Sequence, residues 1–533
     1  MFWADELAAA ASGPQIVNDS KTPSGTVHVG SLRGVVLHDA IWRVLRDRGL
    51  EATFLYGVDD LDPMDAQALL TPDAIERYMG VPLARVPAPV GSPASSYARH
   101  FIGEQFVGTF AGLGIHPELY WMSEVYAAGR MDAFIRTALD RADLVRAIYL
   151  EVSAVERPPG WLPISVICEN CGRIGTTLAT GWDGSTVAYH CLPDHVTWAS
   201  GCGHAGRVSP FGGRAKLLYN VDWAAKWSLF GVTIEGCGKD LATKGGSRDR
   251  SDAISRQVFE REPPVNVAYE FLNVGGRKMS TSQGRGAAAH EIADLLPPEL
   301  LRFLFLRHRP GRALDFNPEG DTIPGLFDEF DRIAAAAAGD VSPERKGTLP
   351  PDAERIFALS LVDASADPVR EARHFRPPFR HLAVLIQVPG VDLEARMTAE
   401  KGAPLDPAER EILEARAEVC RRWLADFAPE RYRIEVSAEL PLEAGELDEP
   451  ARRFLTALAD AATLEAPDAG SAWQDLIFRT SQGAELASSP AFTALYVVFL
   501  GRTNGPRAGW LLASLDPTFV IGRLREAAAV RIG

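Results

Sequence analysis

The stretch that decides the fold is QIVNDSKTPSGTVHVGSLRGVVLHDAIWRVLRDRGLEATFLYGV, residues 15–58. Its short apolar run from Gln15 to Asn18 predicts a strand, and helical periodicity after a glycine-containing turn predicts a helix over about Ser31 to Arg48. A second apolar run, Ala52 to Val58, predicts another strand. This order is a βαβ unit, and such units build right-handed parallel sheets. We therefore expect an α/β fold with a Rossmann-type parallel sheet.

The helix between these strands is predicted to be amphipathic. The apolar residues that share its inner face are Val35, Val36, Ile41, Val44 and Leu45. The charged residues expected to face solvent are Arg43, Arg46, Asp47 and Arg48, and Gly49 is expected to end the helix.

Composition and charge narrow the class of protein. The chain has 533 residues, enough for several domains, and 46% of them are hydrophobic, as in ordinary globular proteins. With 55 Lys and Arg against 70 Asp and Glu, the formal charge is −15, which argues against non-specific coating of DNA. The N-terminus lacks the pattern of a secretory signal, and no apolar run approaches the roughly 20 residues of a membrane span. These features predict a cytoplasmic protein with neither DNA nor membrane as partner.

The turn before the predicted helix, TPSGTVHVGS, is the first candidate site. Its glycines allow close approach of a ligand, and the following helix N-terminus offers unpaired N–H groups to a phosphate. A histidine there can donate to a phosphate oxygen as its charge grows. The residues singled out are Pro23, Gly25, His28, Gly30 and Ser31. A plain turn with a satisfied histidine is an equal alternative for this string alone.

A second candidate is the loop GGRKMSTSQGRG, which follows the apolar strand predicted at Val267 to Val274. A lysine and hydroxyls on such a loop can close over a triphosphate and neutralise the departing pyrophosphate. The residues singled out are Lys278, Met279, Ser280 and Ser282. A solvated surface loop is the alternative.

Four of the six cysteines, Cys168, Cys171, Cys191 and Cys202, fall in one window rich in proline and glycine. Their spacing predicts a structural Zn²⁺ site closed by four thiolates, with His204 competing with Cys191 for the fourth place. Unligated buried cysteines are the alternative. Cys237 and Cys420 are expected to be plain buried residues.

An acidic cluster follows the second strand, at Asp59, Asp60, Asp62 and Asp65. Like charges so close together need a cation, or their pKa values rise. The ammonium group of a bound ligand could supply that cation, with Asp59 and Asp60 favoured; the alternative is helix capping by solvated acids.

Taken together, the first two motifs resemble the HIGH and KMSKS signatures of the class I aminoacyl-tRNA synthetases, here His28-Val29-Gly30-Ser31 and Lys278-Met279-Ser280-Thr281-Ser282. Further strings are similar to those of the class I lysyl-tRNA synthetases. They are PSGTVHVGSLR, YGVDDLDPMD, NVDWAAKW, GCGKDLATKGGS, FLNVGGRKMSTS and, near the C-terminus, NGPRAGWLLASL. The similarity spans nearly the whole chain.

The resemblance implies lysine–tRNA ligase activity: ATP and Mg²⁺ activate L-lysine, which is then transferred to the 3′ end of tRNA(Lys). It implies ATP contacts by Gly238 and Asp240, which resemble the class I GxD element, besides Pro23, Gly25, His28, Gly30, Lys278 and Met279. The catalytic set is His28, Gly30, Ser31, Lys278, Ser280 and Ser282, and the lysine pocket is expected to hold Asp19, Thr22, Asp59, Asp60 and Trp223. Two positions depart from the family pattern, Thr281 in place of a lysine and Leu241 in place of a histidine, and the second weakens the assignment of the amino acid.

Five regions are expected along the chain. They are a first catalytic half (1–155), a zinc insertion (156–215), a second catalytic half with the KMSKS-like loop (216–290), a stem-contact region (291–345) and a helical anticodon-binding domain (346–533). The main boundary is placed in the linker-like segment Gly339 to Asp352, and Asp406, Pro407 and Glu409 are expected to start a helix after it.

Two other functions stay open at this point. One is another class I enzyme, either a synthetase for a different amino acid or a nucleotidylyltransferase, although the zinc insertion and helical C-terminal part argue against the latter. The other is a non-catalytic tRNA-binding protein, suggested by Thr281 and Leu241. The sequence favours a monomer without deciding the oligomeric state, and it leaves open the tRNA isoacceptors and any need for tRNA during activation.

Overall fold

The computed structural model describes residues 1–23, 30–65, 71–274, 277–278, 295–340, 349–388, 391–434, 436–437 and 439–530. At residues 30–31, 75, 103–107, 274 and 277–278 it describes the backbone alone. The chain forms two compact units, one of residues 1–316 with 350–366 and the other of residues 317–349 with 367–533. Residues 350–366 thus return to the first unit after the first helix of the second. The five-part functional division of the chain stays a prediction.

All of the strands in the described ranges lie in the first unit. They are β1 Gln15–Lys21, β2 Ala52–Val58, β3 Glu118–Trp121, β4 Ile164–Val166, β5 Thr177–Trp182, β6 Val187–Cys191, β7 Ala205–Val208, β8 Ala215–Leu217, β9 Cys237–Gly238, β10 Ala268–Tyr269, β11 Leu272–Val274, β12 Arg277–Lys278 and β13 Leu314–Phe316.

Helices of the first unit surround these strands. They are α1 Trp3–Ala10, α2 Gly30–Asp47, α3 Pro72–Tyr78, α4 Val107–Gly112, α5 Met122–Ala127, α6 Asp132–Asp140, α7 Ala142–Ser153, α8 Tyr219–Phe230, α9 Ser247–Gln257, α10 Pro298–Leu306 and α12 Ala353–Ser360, with a 3₁₀ turn at Leu83–Arg85 and a π-helix at Arg99–Phe106. Helix α11, Thr322–Ala338, belongs to the second unit.

The central sheet is parallel, as predicted. Strand β2 pairs with β1 from Gln15↔Ala52 to Lys21↔Val58, and β3 pairs with the other edge of β2. On the far side of β1, Ile234 forms a parallel bridge to Val17 and a second one to Val265. The order of the chain in the sheet therefore reverses at β1, and such a switch point opens a crevice for ligands at the carboxyl ends of the strands.

The βαβ prediction is confirmed, and two other expectations are corrected. All five apolar residues assigned to the inner face of α2 are buried, but Arg43 is buried with them. Its Nε forms an ion pair with Asp39 at 2.8 Å and its Nη1 donates to the carbonyl of Leu361 at 2.7 Å, so polar partners compensate for the burial of its charge. The strand predicted at Val267 to Val274 is broken in two, because the amide of Glu270 donates to Pro310 instead of continuing one ladder.

Between α7 and α8, residues 156–215 form two small antiparallel sheets, β4 with β8 and β5-β6-β7. Their inner residues, among them Val166, Cys168 and Tyr189, join one core with helices α5 to α8. The zinc insertion expected over this range stays a prediction.

The described elements of the second unit are helical. They are α11, α13 Pro368–Ala372, α14 Phe379–Leu385, α15 Leu393–Lys401, α16 Pro407–Asp426, α17 Glu449–Glu465, α18 Gly470–Gly483, α19 Ser488–Leu500, α20 Ala508–Ser514 and α21 Pro517–Ala529, with 3₁₀ turns at Glu430–Tyr432 and Leu442–Glu446. The start of α16 is confirmed: Asp406 and Glu409 form a reciprocal capping box around Pro407.

Helices α18 and α19 together reach the length and apolarity of a bilayer span, but the chain bends by 118° between them. Within the described ranges, no helix by itself is long and apolar enough to cross a membrane.

Candidate active site

The candidate site lies where β1 and β2 end, beside helix α8. At that edge the polypeptide places Asp19 at the end of β1 and Asp59 and Asp60 directly after β2. All three carboxylates are buried. The predicted acidic residues therefore share one end of the sheet, and each has a different partner.

Asp59 is neutralised by the chain itself. Its Oδ1 accepts a hydrogen bond from the Lys226 Nζ at 2.7 Å, and Lys226 also lies 3.8 Å from Asp222, four residues earlier on α8. Burial alone would raise the pKa of Asp59, but Lys226 and Lys216 together outweigh burial and lower that pKa. From the sequence, the cation for Asp59 was expected to come from a ligand. In the structure Lys226 supplies it.

Asp62 is held in a similar way. It accepts a hydrogen bond from Thr22 Oγ1 at 2.6 Å and forms an ion pair with the buried Lys216 on β8. Lys216 also lies 3.6 Å from Asp222. These contacts tie the chain after β1 to the chain after β2, so Thr22 has a positioning contact within the predicted pocket.

Asp60 bonds to the start of helix α5. Its two oxygens accept from the backbone N–H of Ser123 at 2.7 Å and from the Ser123 hydroxyl. Burial outweighs these bonds and raises the pKa of Asp60 to about 6. Neither oxygen faces a basic side chain among the described residues.

Helix α8 adds an aromatic wall that contains a buried acid. The indole N–H groups of Trp223 and Trp227 donate to the two oxygens of Glu235 at 2.9 and 2.6 Å, and the two rings lie 5.1 Å apart. Burial raises the pKa of Glu235. Sequence reasoning named Trp223 but missed Glu235, which carries no motif of its own.

Asp19 differs from the other carboxylates. Its Oδ1 accepts from the N–H of Ser20 at 2.8 Å, while Oδ2 has no hydrogen bond to any residue that the structure describes. That oxygen lies 3.5 Å from His38 Nδ1, whose proton goes to the carbonyl of Gly34 at 2.7 Å. Burial raises the pKa of Asp19. Among the three buried carboxylates, Asp19 is therefore the one that has neither a lysine partner nor hydrogen bonds to both oxygens in the described residues.

The predicted ribose-binding element is anchored through the same histidine. Because His38 Nδ1 donates, its Nε2 accepts from the N–H of Gly236 at 2.8 Å. Two residues later, a Cβ on Gly238 would lie 2.7 Å from Oδ1 of Asp240, so a larger residue at position 238 would displace the Asp240 carboxylate. Asp240 is exposed, so its carboxylate can be reached from solvent.

Arg33 on α2 bonds to the backbone just before strands β11 and β13. Its buried guanidinium donates to four backbone carbonyls, those of Glu270, Phe271, Pro310 and Arg312. Glu270 and Phe271 directly precede β11, which leads to the KMSKS-like segment. One side chain thereby links helix α2 to the residues that precede β11.

Several predicted residues lie outside the described ranges: Gly25, His28, Met279, Ser280, Thr281 and Ser282. Gly30 and Ser31 begin helix α2, and Lys278 pairs with Asn273 in an antiparallel ladder, but only their backbone is described. Pro23 is described and buried.

The four predicted metal ligands come together. The Sγ atoms of Cys168, Cys171, Cys191 and Cys202 all lie within 4.8 Å of one another. Two pairs, Cys168 with Cys202 and Cys171 with Cys191, are each 3.7 Å apart. His204 is not in this group, and its ring packs 6.0 Å from that of Tyr189. Four thiolates converging on one point are the donor set of a structural zinc site.

Comparison with known proteins gives the family. The family model described as tRNA synthetases class I (K) matches residues 1–362. The chain belongs to the class I (K) tRNA synthetases. The matched residues of this class I (K) synthetase include the candidate active site and the cysteine group.

Individual relatives of this class I (K) synthetase match along its whole length. A protein named lysine–tRNA ligase 1 from Methanosarcina acetivorans is 33% identical, and the match covers 99% of this chain and 98% of that protein. Lysine–tRNA ligases from Archaeoglobus fulgidus and Thermoplasma acidophilum are 34% and 32% identical, each covering 99% of this chain and 100% and 98% of their own lengths.

Proposed function

We propose that this class I (K) synthetase is a lysine–tRNA ligase. The observation that carries this conclusion is the similarity, over the full length of both chains, to proteins named lysine–tRNA ligase. In the first step, a carboxylate oxygen of lysine attacks the α-phosphorus of Mg²⁺-ATP and pyrophosphate leaves. In the second, a hydroxyl of the terminal adenosine of tRNA(Lys) attacks the lysyl carbonyl and AMP leaves.

The geometry supports Asp19 as the residue that receives an ammonium group of the substrate lysine. Its Oδ2 has no hydrogen bond among the described residues, whereas Asp59 is paired with Lys226 and Asp60 with Ser123. The tryptophan pair of α8 offers an apolar wall for the methylene groups of lysine. Asp59 and Thr22 are then positioning residues. Through their bonds to Lys226 and Asp62, they hold the ends of β1 and β2 in place.

We assign ATP to the N-terminus of α2 and the segment that contains Gly238 and Asp240. The N-terminus of α2 suits the phosphates, Gly238 allows close approach, and the exposed carboxylate of Asp240 can accept hydrogen bonds from the ribose hydroxyls. The signature residues His28, Ser31, Lys278, Ser280 and Ser282 are proposed to stabilise charge on the phosphates. Positioning and electrostatics suffice for this step, so no general base is assigned.

We also propose that the four-cysteine group holds a structural Zn²⁺. The Sγ atoms of Cys168, Cys171, Cys191 and Cys202 are close enough to bind one ion, and all four positions of a tetrahedral shell would be filled by protein. Such a site would crosslink the small sheets of residues 156–215 and take no part in the reaction.

Pyrophosphate exchange into ATP tests the function directly. The purified protein is assayed with each amino acid separately, with and without tRNA. Lysine-dependent exchange and subsequent lysylation of tRNA(Lys) are expected. Exchange with a different amino acid would keep the enzyme class and overturn the lysine assignment. Silence with all amino acids, in protein that still binds tRNA, would support a non-catalytic tRNA-binding protein instead.

A further inference from the structure

The four-cysteine group is close in the fold to the acidic residues that follow β2. Three segments of the first unit lie side by side there, residues 60–64, residues 80–84 and residues 172–175, the last of which directly follows Cys171. Hydrogen bonds join the middle segment to both outer ones. Only one segment therefore separates the turn after Cys171 from the acidic end of the candidate site.

The first contact joins the acidic segment to residues 80–84. The backbone N–H of Ala84 donates to the carbonyl of Asp60 at 2.7 Å, and that of Leu83 donates to the carbonyl of Asp62 at 2.9 Å. Backbone N–H and C=O groups inside a fold need partners, and these bonds hold the backbone of both acidic residues. A shift of residues 80–84 would therefore move Asp60 and Asp62 as well.

The second contact joins residues 80–84 to the turn after Cys171. The carbonyl of Gly80 accepts from the N–H of Ile174 at 2.7 Å and from the N–H of Gly175 at 3.1 Å. The approach is close, since a Cβ on Gly175 would lie 3.1 Å from the Cβ of Pro63. The turn therefore packs against the acidic segment itself as well as against residues 80–84.

Arg173 adds a side-chain link at the same place. Its Nε donates to the carbonyl of Met79 and its Nη2 to the carbonyl of Glu76, both at 2.8 Å. These carbonyls lie at the C-terminal end of α3, where carbonyl groups lack partners within the helix and a positive charge is favoured. The carbonyl of Arg173 itself accepts from the N–H of Cys168 at 2.9 Å. One residue thus connects the cysteine turn to the chain just before Gly80.

The acidic segment extends this link to the substrate pocket. Asp62 accepts from Thr22 Oγ1 at 2.6 Å, and Thr22 follows Asp19 by only three residues. Asp60 holds the start of α5 through its two bonds to Ser123. A displaced acidic segment would therefore move the chain next to Asp19, the carboxylate assigned to an ammonium group of the substrate.

We propose that Arg173 is a positioning residue for the lysine pocket. By holding the end of α3 against the cysteine turn, it sets the position of the carboxylates that follow β2. Because it acts through the backbone of residues 60–64, its loss weakens lysine binding more than it slows the reaction. The cysteine group thereby has a part in substrate binding without supplying a reacting group. This inference rests on the proposed function, because it takes lysine as the substrate.

Pyrophosphate exchange by the full-length protein, at varied lysine and varied ATP concentrations, tests the proposal. Arg173→Ala removes both donors, and Arg173→Lys keeps the charge but replaces the planar fork with a single ammonium group. Arg207→Ala is the matched control, because this arginine also lies within residues 156–215, on β7, but pairs with Asp183. Hydrogen–deuterium exchange of residues 60–64 supplies a readout that does not depend on activity.

Arg173→Ala is expected to raise KM for lysine by about tenfold, with kcat and KM for ATP changed by less than about twofold. The amides of residues 60–64 should exchange faster in this variant. Arg173→Lys should fall between it and wild type, and Arg207→Ala should behave as wild type. An unchanged KM for lysine, an equal rise in KM for ATP, or unchanged amide exchange of residues 60–64 would each overturn the proposal. Lysine-dependent exchange by the wild-type protein separates these outcomes from failure of the proposed function.

Discussion

Lys226 donates to Asp59 across 167 residues of sequence, at 2.7 Å and with both side chains buried. The end of β2 was expected to bind a cation of the substrate, but it already holds the ammonium group of Lys226. Burial alone would lower the pKa of Lys226, but Asp59 and Asp222 outweigh it and raise that pKa, so the lysine stays charged. Under the proposed function, substrate lysine then needs another carboxylate, and we expect Asp19 to supply it.

Removing the cation of this pair should be costly. Lys226→Met leaves Asp59 buried without its partner, and we expect a loss of about 3–5 kcal/mol in the free energy of unfolding. The double variant Asp59→Asn with Lys226→Met should recover part of this loss. Denaturant unfolding followed by tryptophan fluorescence measures both. A double variant as unstable as the single one would contradict the pairing.

Asp19→Asn tests the substrate contact. Asparagine is nearly isosteric but loses the charge, so a charge-assisted hydrogen bond of about 1.5–3 kcal/mol disappears. We expect KM for lysine in pyrophosphate exchange to rise by about 10- to 150-fold, with little change in KM for ATP. Asp73→Asn, at an exposed position on α3, is the control. An unchanged KM for lysine would remove Asp19 from the pocket.

Asp60 should make stability depend on pH. Its pKa is raised by burial from 3.8 to about 6, so between these pH values the unfolded chain has released a proton that the folded chain keeps. The contribution of Asp60 to stability therefore falls as pH rises through this window, by roughly 3 kcal/mol in all. Asp60→Asn, which does not titrate, should gain stability relative to wild type between pH 4 and pH 7. Thermal unfolding midpoints that keep a constant difference over this range would contradict the prediction.

Arg33 is predicted to matter for activity through the position of β11, because its buried guanidinium is bonded to backbone carbonyls around that strand. Lysine at this position cannot donate to four carbonyls on two segments, so Arg33→Lys should leave buried carbonyls unpaired and let β11 shift relative to α2. We expect a lower unfolding temperature and at least a tenfold fall in the rate of pyrophosphate exchange. Wild-type exchange by a destabilised variant would show that the link serves folding alone.

The zinc proposal predicts one equivalent of metal per chain. Cys171→Ser should lose most of the bound zinc and lower the unfolding temperature, because a structural site stabilises the fold that forms it. Cys420→Ser is the control, since that thiol is buried in the second unit and outside the group. Metal analysis of both variants decides between a zinc site and four unligated cysteines.

The features predicted correctly from the sequence depend on interactions between residues close together in the chain. The apolar periods of residues 15–58 gave β2 its observed bounds and α2 bounds within one residue, because burial of one face is decided by residues a few positions apart. The capping box at Asp406 is local in the same sense. The spacing of four cysteines suggested a common site, and their Sγ atoms do converge.

The pairings that shape the candidate site could not be read in this way. Arg43 was expected in solvent, yet carbonyls more than 300 residues later make its burial acceptable. Glu235 belongs to no recognisable motif. Its carboxylate is held in the site by hydrogen bonds from the indole N–H groups of two tryptophans.

The sequence by itself therefore determined the parallel βαβ core, the family and the residue types gathered at the strand ends. Only the tertiary structure decided which carboxylates are already neutralised, as Asp59 is by Lys226, and which stays open, as Asp19 does. The reason is that charge pairing in a buried site depends on distances between segments remote in sequence, and packing alone sets those distances.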